Sequence, residues 1–137
     1  MHHEATIAVI PLFSRLSKKQ LAEIAKLMTT IDVEAGRELM HQGEPGQELC
    51  IVVDGEADVV RDGTVIATRG PGAFLGEIAL LLDRPRTASV IAKTDMTIEV
   101  LDRREFKRLL ELQPAFYEPL LEAVAQRLAE QDDLLSH

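Results

Sequence analysis

From Ile31 to about Leu101 the chain is cut into short runs of β-forming residues separated by glycine and proline, and this punctuation restricts the fold more than any other feature. The runs are Arg37 to His41, Leu49 to Val53, Ala57 to Arg61, Val65 to Arg69, Thr87 to Lys93 and Thr97 to Leu101. They have strand length rather than helix length, and their regular spacing predicts an antiparallel barrel or jelly roll. Asp62-Gly63, set between Val59-Val60 and Val65-Ile66, is the dipeptide of a tight hairpin, whose two central residues both need positive φ.

The flanks follow a helical period. Ser17 and Gln20 form a capping box, and Leu21, Ile24, Ala25 and Met28 continue it at helical spacing, which predicts a helix to about Thr29. Asp102 and Glu105 form a second box, with Phe106, Leu109 and Leu110 as the buried face of a short helix that Pro114 ends. A longer helix is expected from about Ala115 to near the end, with Leu120, Leu121, Val124, Leu128 and Leu135 as its apolar positions and Pro119 in its first turns. The fold class is therefore α+β. An antiparallel β jelly-roll barrel over residues 31–102 is preceded by a helical segment, 1–30, and followed by C-terminal helices, 103–137, in one domain.

Composition narrows what such a domain does. With 137 residues the chain is large enough to bury a core without staples. The net charge of −8 argues against broad binding to nucleic acid. No apolar run reaches the length of a membrane span, and no basic-then-apolar leader opens the chain, so a cytoplasmic protein is expected. Cys50 is the sole cysteine and lies in the apolar run Leu49 to Val53, where a buried, inert thiol is the plain reading. His41 is the only histidine away from the termini, which offers neither a converging metal set nor a nucleophile with a base. Arg103-Arg104 reads as the solvated start of a capped helix. The chain is expected to be no enzyme and to need no cofactor.

The chemistry concentrates between Gly72 and Val90. Gly76 frees the backbone to turn, and Glu77 to Leu82 then form a short helical turn whose first N–H groups face any anion nearby. Arg86 follows a Pro85 corner and offers a fork of donors matched to two phosphate oxygens. The Glu77 carboxylate only accepts, which suits sugar hydroxyls. A carboxylate and a guanidinium flanking one turn point to a nucleotide.

These residues resemble the phosphate-binding cassette of the cyclic nucleotide-binding domains, the family found in catabolite-activator-type regulators, cyclic-nucleotide-dependent kinases and gated channels. The likeness extends from Ile10-Pro-Leu-Phe-Ser through Glu34-Ala-Gly, Gln42-Gly-Glu-Pro-Gly and Asp54-Gly-Glu-Ala to the closing helices. It implies that Gly76 and Glu77 contact the ribose 2′-hydroxyl, that backbone N–H groups at Ile78 and Ala79 with the Arg86 side chain bind the cyclic phosphate, and that Thr87 and Ala88 complete the cradle. Thr87 accompanies guanine recognition in some members and occurs in cAMP-preferring ones. Since one hydroxyl rarely decides specificity, cAMP is the expected ligand over cGMP. The hydroxyl pair that reads adenine in catabolite-activator-type proteins is absent, and its positions fall on Gln131 and Asp132. Both residues can meet a purine edge, though two polar residues on the exposed side of a terminal helix are the plainer reading.

The expectation is a non-catalytic cyclic nucleotide sensor whose C-terminal helix closes over the base when ligand binds. The stripe of that helix would alternatively serve a homodimer seam. Two rival readings remain: the effector half of a larger regulator, whether transcription factor, channel, transporter or enzyme, and an interaction module that keeps the fold without the ligand.

Overall fold

A computed structural model of the chain describes residues 13, 16–76 and 84–135, the last helix without the side chains of 119, 123, 127 and 130–135. Helix α1 (Lys18–Ala25) leads into β1 (Thr29–Val33), β2 (Glu38–Met40), β3 (Glu48–Asp54), β4 (Ala57–Arg61), β5 (Thr64–Arg69) and β6 (Phe74–Leu75). Beyond the cassette come β7 (Ser89–Ala92), β8 (Met96–Asp102), α2 (Arg103–Leu112), a 3₁₀ turn (Pro114–Phe116) and α3 (Tyr117–Leu135). Among the described residues the strands make two four-stranded antiparallel sheets, ordered β1-β8-β3-β6 and β2-β7-β4-β5. This is the jelly-roll arrangement that the punctuated runs predict.

Two apolar layers explain why β3 and β8 read as nearly unbroken apolar runs. Cys50 and Val52 of β3, with Met96, Ile98 and Val100 of β8, face the space between the sheets. Leu49 and Ile51 of β3, with Leu101 of β8, face the other way, against Ile24, Phe106, Leu109, Phe116 and Leu120. A central strand covered on both faces has no solvent side on which to alternate. The Phe13 and Phe116 rings meet in the helical layer at 5.0 Å. Glu99 of β8 is fully buried and accepts a hydrogen bond from the Thr30 hydroxyl at 2.7 Å.

Local signals at the element ends hold. Ser17 and Asp102 cap α1 and α2 in reciprocal boxes with Gln20 and Glu105. Asp62 and Gly63 both have positive φ, 52° and 80°, as a primed hairpin turn requires. Several boundaries move. Helix α1 stops at Ala25 rather than about Thr29, because Thr29 and Thr30 pair with Val100 and Glu99 of β8, a ladder that suits β-branched residues. The expected run from Thr87 starts as a strand only at Ser89, and the run from Arg37 narrows to Glu38–Met40. Strand β6 has no counterpart in the sequence reading. The long helix opens at Tyr117, after the 3₁₀ turn at Pro114, rather than at Ala115. Leu121, placed in the apolar stripe of that helix, is 60% exposed, since Leu120 and Val124 occupy its narrow buried face.

Candidate functional site

Strand β6 pairs with β3, Leu75 opposite Cys50 and Phe74 opposite Ile51, and so delivers Gly76 to the rim of the sheet beside Glu48. Gly76 turns there with φ +88°, a conformation that favours glycine. A side chain at this position would collide with Arg86 Nη1 and would lie 2.9 Å from Met40 Cε and 3.0 Å from Glu48 O. The absence of a Cβ is what lets the guanidinium approach the backbone.

Arg86 fills that opening. Its Nη1 donates to Gly76 O at 3.2 Å and its Nη2 to Glu48 O at 2.7 Å. Two carbonyls from two different segments thus fix the plane and direction of the fork, and a fixed planar fork recognises a phosphate better than a mobile point charge. Cys50 lies just behind, on the sandwich side of β3. Burial, with a smaller contribution from Glu48, pushes its thiol from 9.0 up to about 12 against the opposing pull of Arg86. The thiol stays protonated at neutral pH and offers no nucleophile.

Thr87 and Ala88 are half-buried in the bend that leads from Arg86 into β7. Gly76, Arg86, Thr87 and Ala88 therefore sit on the two chain segments that meet at the rim. Glu77, Ile78, Ala79 and the expected short helix from Glu77 to Leu82 lie outside the described residues. Gln131 and Asp132 belong to the α3 backbone, and their side chains are likewise outside what is described. His41 is exposed and its Nδ1 lies 3.0 Å from Glu38 Oε1. Among the described residues no group of His, Cys, Asp and Glu is arranged to hold a metal. No described helix is long and apolar enough to cross a membrane. Arg103 and Arg104 are exposed at the start of α2, where Arg103 Nη2 donates to Gly46 O at 3.4 Å.

Sequence reasoning missed the Glu48 carbonyl that holds Arg86. A backbone oxygen carries no residue-type signal.

The family model described as the cyclic nucleotide-binding domain matches residues 30–113. The chain belongs to that family. This cyclic nucleotide-binding domain is 38% identical over 110 residues to a cAMP-dependent protein kinase regulatory subunit of Aspergillus niger, covering 79% of this chain and 27% of that protein. It is 38% identical over 95 residues to a cGMP-dependent protein kinase of Caenorhabditis elegans, covering 69% of this chain and 12% of that one. A solved structure of PKAR CBD2 with Sp-2Cl-cAMPS bound superposes with a TM-score of 0.78 at 27% identity, over 96% of this chain and 90% of the other. The domain thus spans only about a quarter or less of the length of these two curated relatives.

Proposed function

We propose that this cyclic nucleotide-binding domain is a non-catalytic sensor that binds cAMP in preference to cGMP and signals occupancy through α3. The observation that carries the reading is the Arg86 fork, aimed by the carbonyls of Gly76 and Glu48 through a gap that only glycine leaves open. In this reading the cyclic phosphate accepts from Arg86 and from the backbone N–H groups of Ile78 and Ala79. Glu77 accepts from the ribose 2′-hydroxyl, Thr87 and Ala88 line the phosphate, and Gln131 and Asp132 are the candidates for the base. The preference for cAMP is supported by the cAMP-dependent regulatory subunit and by the cAMP-analogue complex among the similar proteins.

The cAMP-dependent regulatory subunit and the cGMP-dependent kinase among the similar proteins support a regulatory role, with the effector half of a larger regulator as the second reading. Pairing of two copies through α3 belongs to the same proposal. The buried single thiol suits a reducing compartment, and we read the domain as cytoplasmic.

Titration calorimetry with cAMP, cGMP and AMP tests the proposal. The cyclic forms bind, cAMP more tightly than cGMP, and AMP binds much more weakly. Arg86→Ala lowers cAMP affinity by roughly 30- to 150-fold, the loss of about 2 to 3 kcal/mol expected for charge-assisted hydrogen bonds to phosphate, while circular dichroism shows a folded protein. Unchanged cAMP affinity in folded Arg86→Ala would remove the site assignment. Failure of the parent domain to bind either cyclic nucleotide would leave the interaction module as the better reading.

A further inference from the structure

Three segments distant in sequence meet at Gln42. Its side-chain Nε2 donates to Asp62 Oδ1 and its Oε1 accepts from Asp62 N–H, both at 2.9 Å, so one carboxamide grips the tip of the β4–β5 hairpin with a donor and an acceptor. The Gln42 backbone N–H donates to the hydroxyl of Ser89 at 3.0 Å, and that serine is 9% exposed at the start of β7. The residues that follow hold Arg86 by its main chain. Gly43 N–H donates to Arg86 O at 2.8 Å, Arg86 N–H donates to Glu44 O at 2.7 Å, and Pro45 bridges Pro85.

Segment 42–45 is thus a short strap laid along 85–89. Gly43, Glu44 and Pro45 are themselves exposed, so the strap has little packing of its own. Its fixed end is Gln42, tied to the hairpin on one side and to Ser89 on the other. The guanidinium plane is set by Gly76 and Glu48, but the position of the Arg86 Cα is set by the strap. We propose that Gln42 is a positioning residue for Arg86, coupling the hairpin tip at Asp62 to the phosphate-binding arginine. The functional part of this inference rests on the reading of Arg86 as the phosphate ligand.

The donor and acceptor pattern allows a test by exchange of roles. Gln42→Glu keeps an acceptor for Asp62 N–H but sets a carboxylate against the Asp62 carboxylate. Asp62→Asn keeps an acceptor for Gln42, and asparagine tolerates the positive φ of this turn as well as aspartate does. In the double variant the new side-chain amide at position 62 donates to the new carboxylate at position 42, and the pair is remade with its groups interchanged.

Gln42→Glu is expected to lower cAMP affinity roughly tenfold and to speed ligand-free amide exchange at Gly43 and Arg86 by a similar factor, the scale of one hydrogen-bonded contact turned unfavourable. Asp62→Asn stays near the parent, and the double variant recovers to within roughly threefold in both measurements. Parent-like affinity and exchange in Gln42→Glu overturn the inference. So does a double variant as impaired as the single one, because the effect would then not run through the Gln42–Asp62 pair. If the parent binds neither cAMP nor cGMP, the sensor reading fails by itself, and exchange at Gly43 and Arg86 still decides whether Gln42 holds the arginine's segment.

Discussion

At the scale of single residues, the site depends on a side chain that is missing. Gly76 meets two separate demands, a positive φ and room for a guanidinium, and alanine satisfies neither. Left-handed backbone costs a residue with a Cβ about 1 to 2 kcal/mol. The collision with Arg86 Nη1 is relieved if that flexible side chain swings out, but the contacts with Glu48 O and Met40 Cε involve backbone and core. Overpacking of this kind costs about 1 to 3 kcal/mol. Gly76→Ala is therefore expected to lose about 2 to 5 kcal/mol in urea denaturation and, with Arg86 displaced, to lose most of its cAMP affinity. A variant with parent-like stability and affinity would show that the arginine does not depend on this opening.

At the scale of elements, α3 carries both a buried and an exposed apolar surface. Leu120 and Val124 are 2% and 8% exposed, whereas Tyr117 and Leu121, one helical turn apart, are 49% and 60% exposed. Exposed apolar residues at that spacing suit a helix-to-helix seam, and Glu118 and Glu122 beside them disfavour close approach of like helices at low salt. Sedimentation equilibrium at micromolar concentrations and moderate salt should find a monomer–dimer equilibrium that Leu121→Glu shifts to monomer without unfolding it. A parent that stays monomeric throughout excludes the seam. The exposure of Leu121 also shows which parts of the fold are legible in the sequence. Caps, the Asp62-Gly63 turn and the strand limits Ala57 and Arg61 are local, set by residues within a few positions, and they are read correctly. The start of strand β1 reads as helix because Met28 continues the helical spacing, and only the partner strand β8 decides otherwise. A two-residue strand such as β6 has no period at all. The burial of Glu99 follows from the covering of β8 on both faces, where the Thr30 hydroxyl donates to it. In the site, residue types announce Gly76 and Arg86, whereas Glu48 contributes a carbonyl and Gln42 a tie between loops, which only the assembled fold displays.

At the scale of the whole molecule, the question is how an event at the rim reaches α3. We propose strand β6 as the connection, because its two side chains enter different layers: Leu75 lies in the layer between the sheets, and Phe74 packs against the helical layer that contains Phe116 and Leu120. Gly76 follows directly, so a ligand that draws the Gly76 backbone and Arg86 together pulls on a strand that ends in both layers. Packed layers respond by shifting between discrete arrangements rather than by stretching, so the proposed signal is a switch of α3 between two positions instead of a continuum. Only a ligand that prefers one arrangement moves the balance, and in the proposed reading the cyclic phosphate held by Arg86 is that ligand. Saturating cAMP should therefore slow amide exchange in residues 117–135 as well as in 72–90. Phe74→Ala should keep most of the cAMP affinity, since Phe74 contributes no donor to the phosphate, but it should weaken the slowing in 117–135. Protection confined to 72–90 in the parent domain would mean that binding is not transmitted to α3. Full protection of 117–135 in Phe74→Ala would mean that transmission takes a route other than β6.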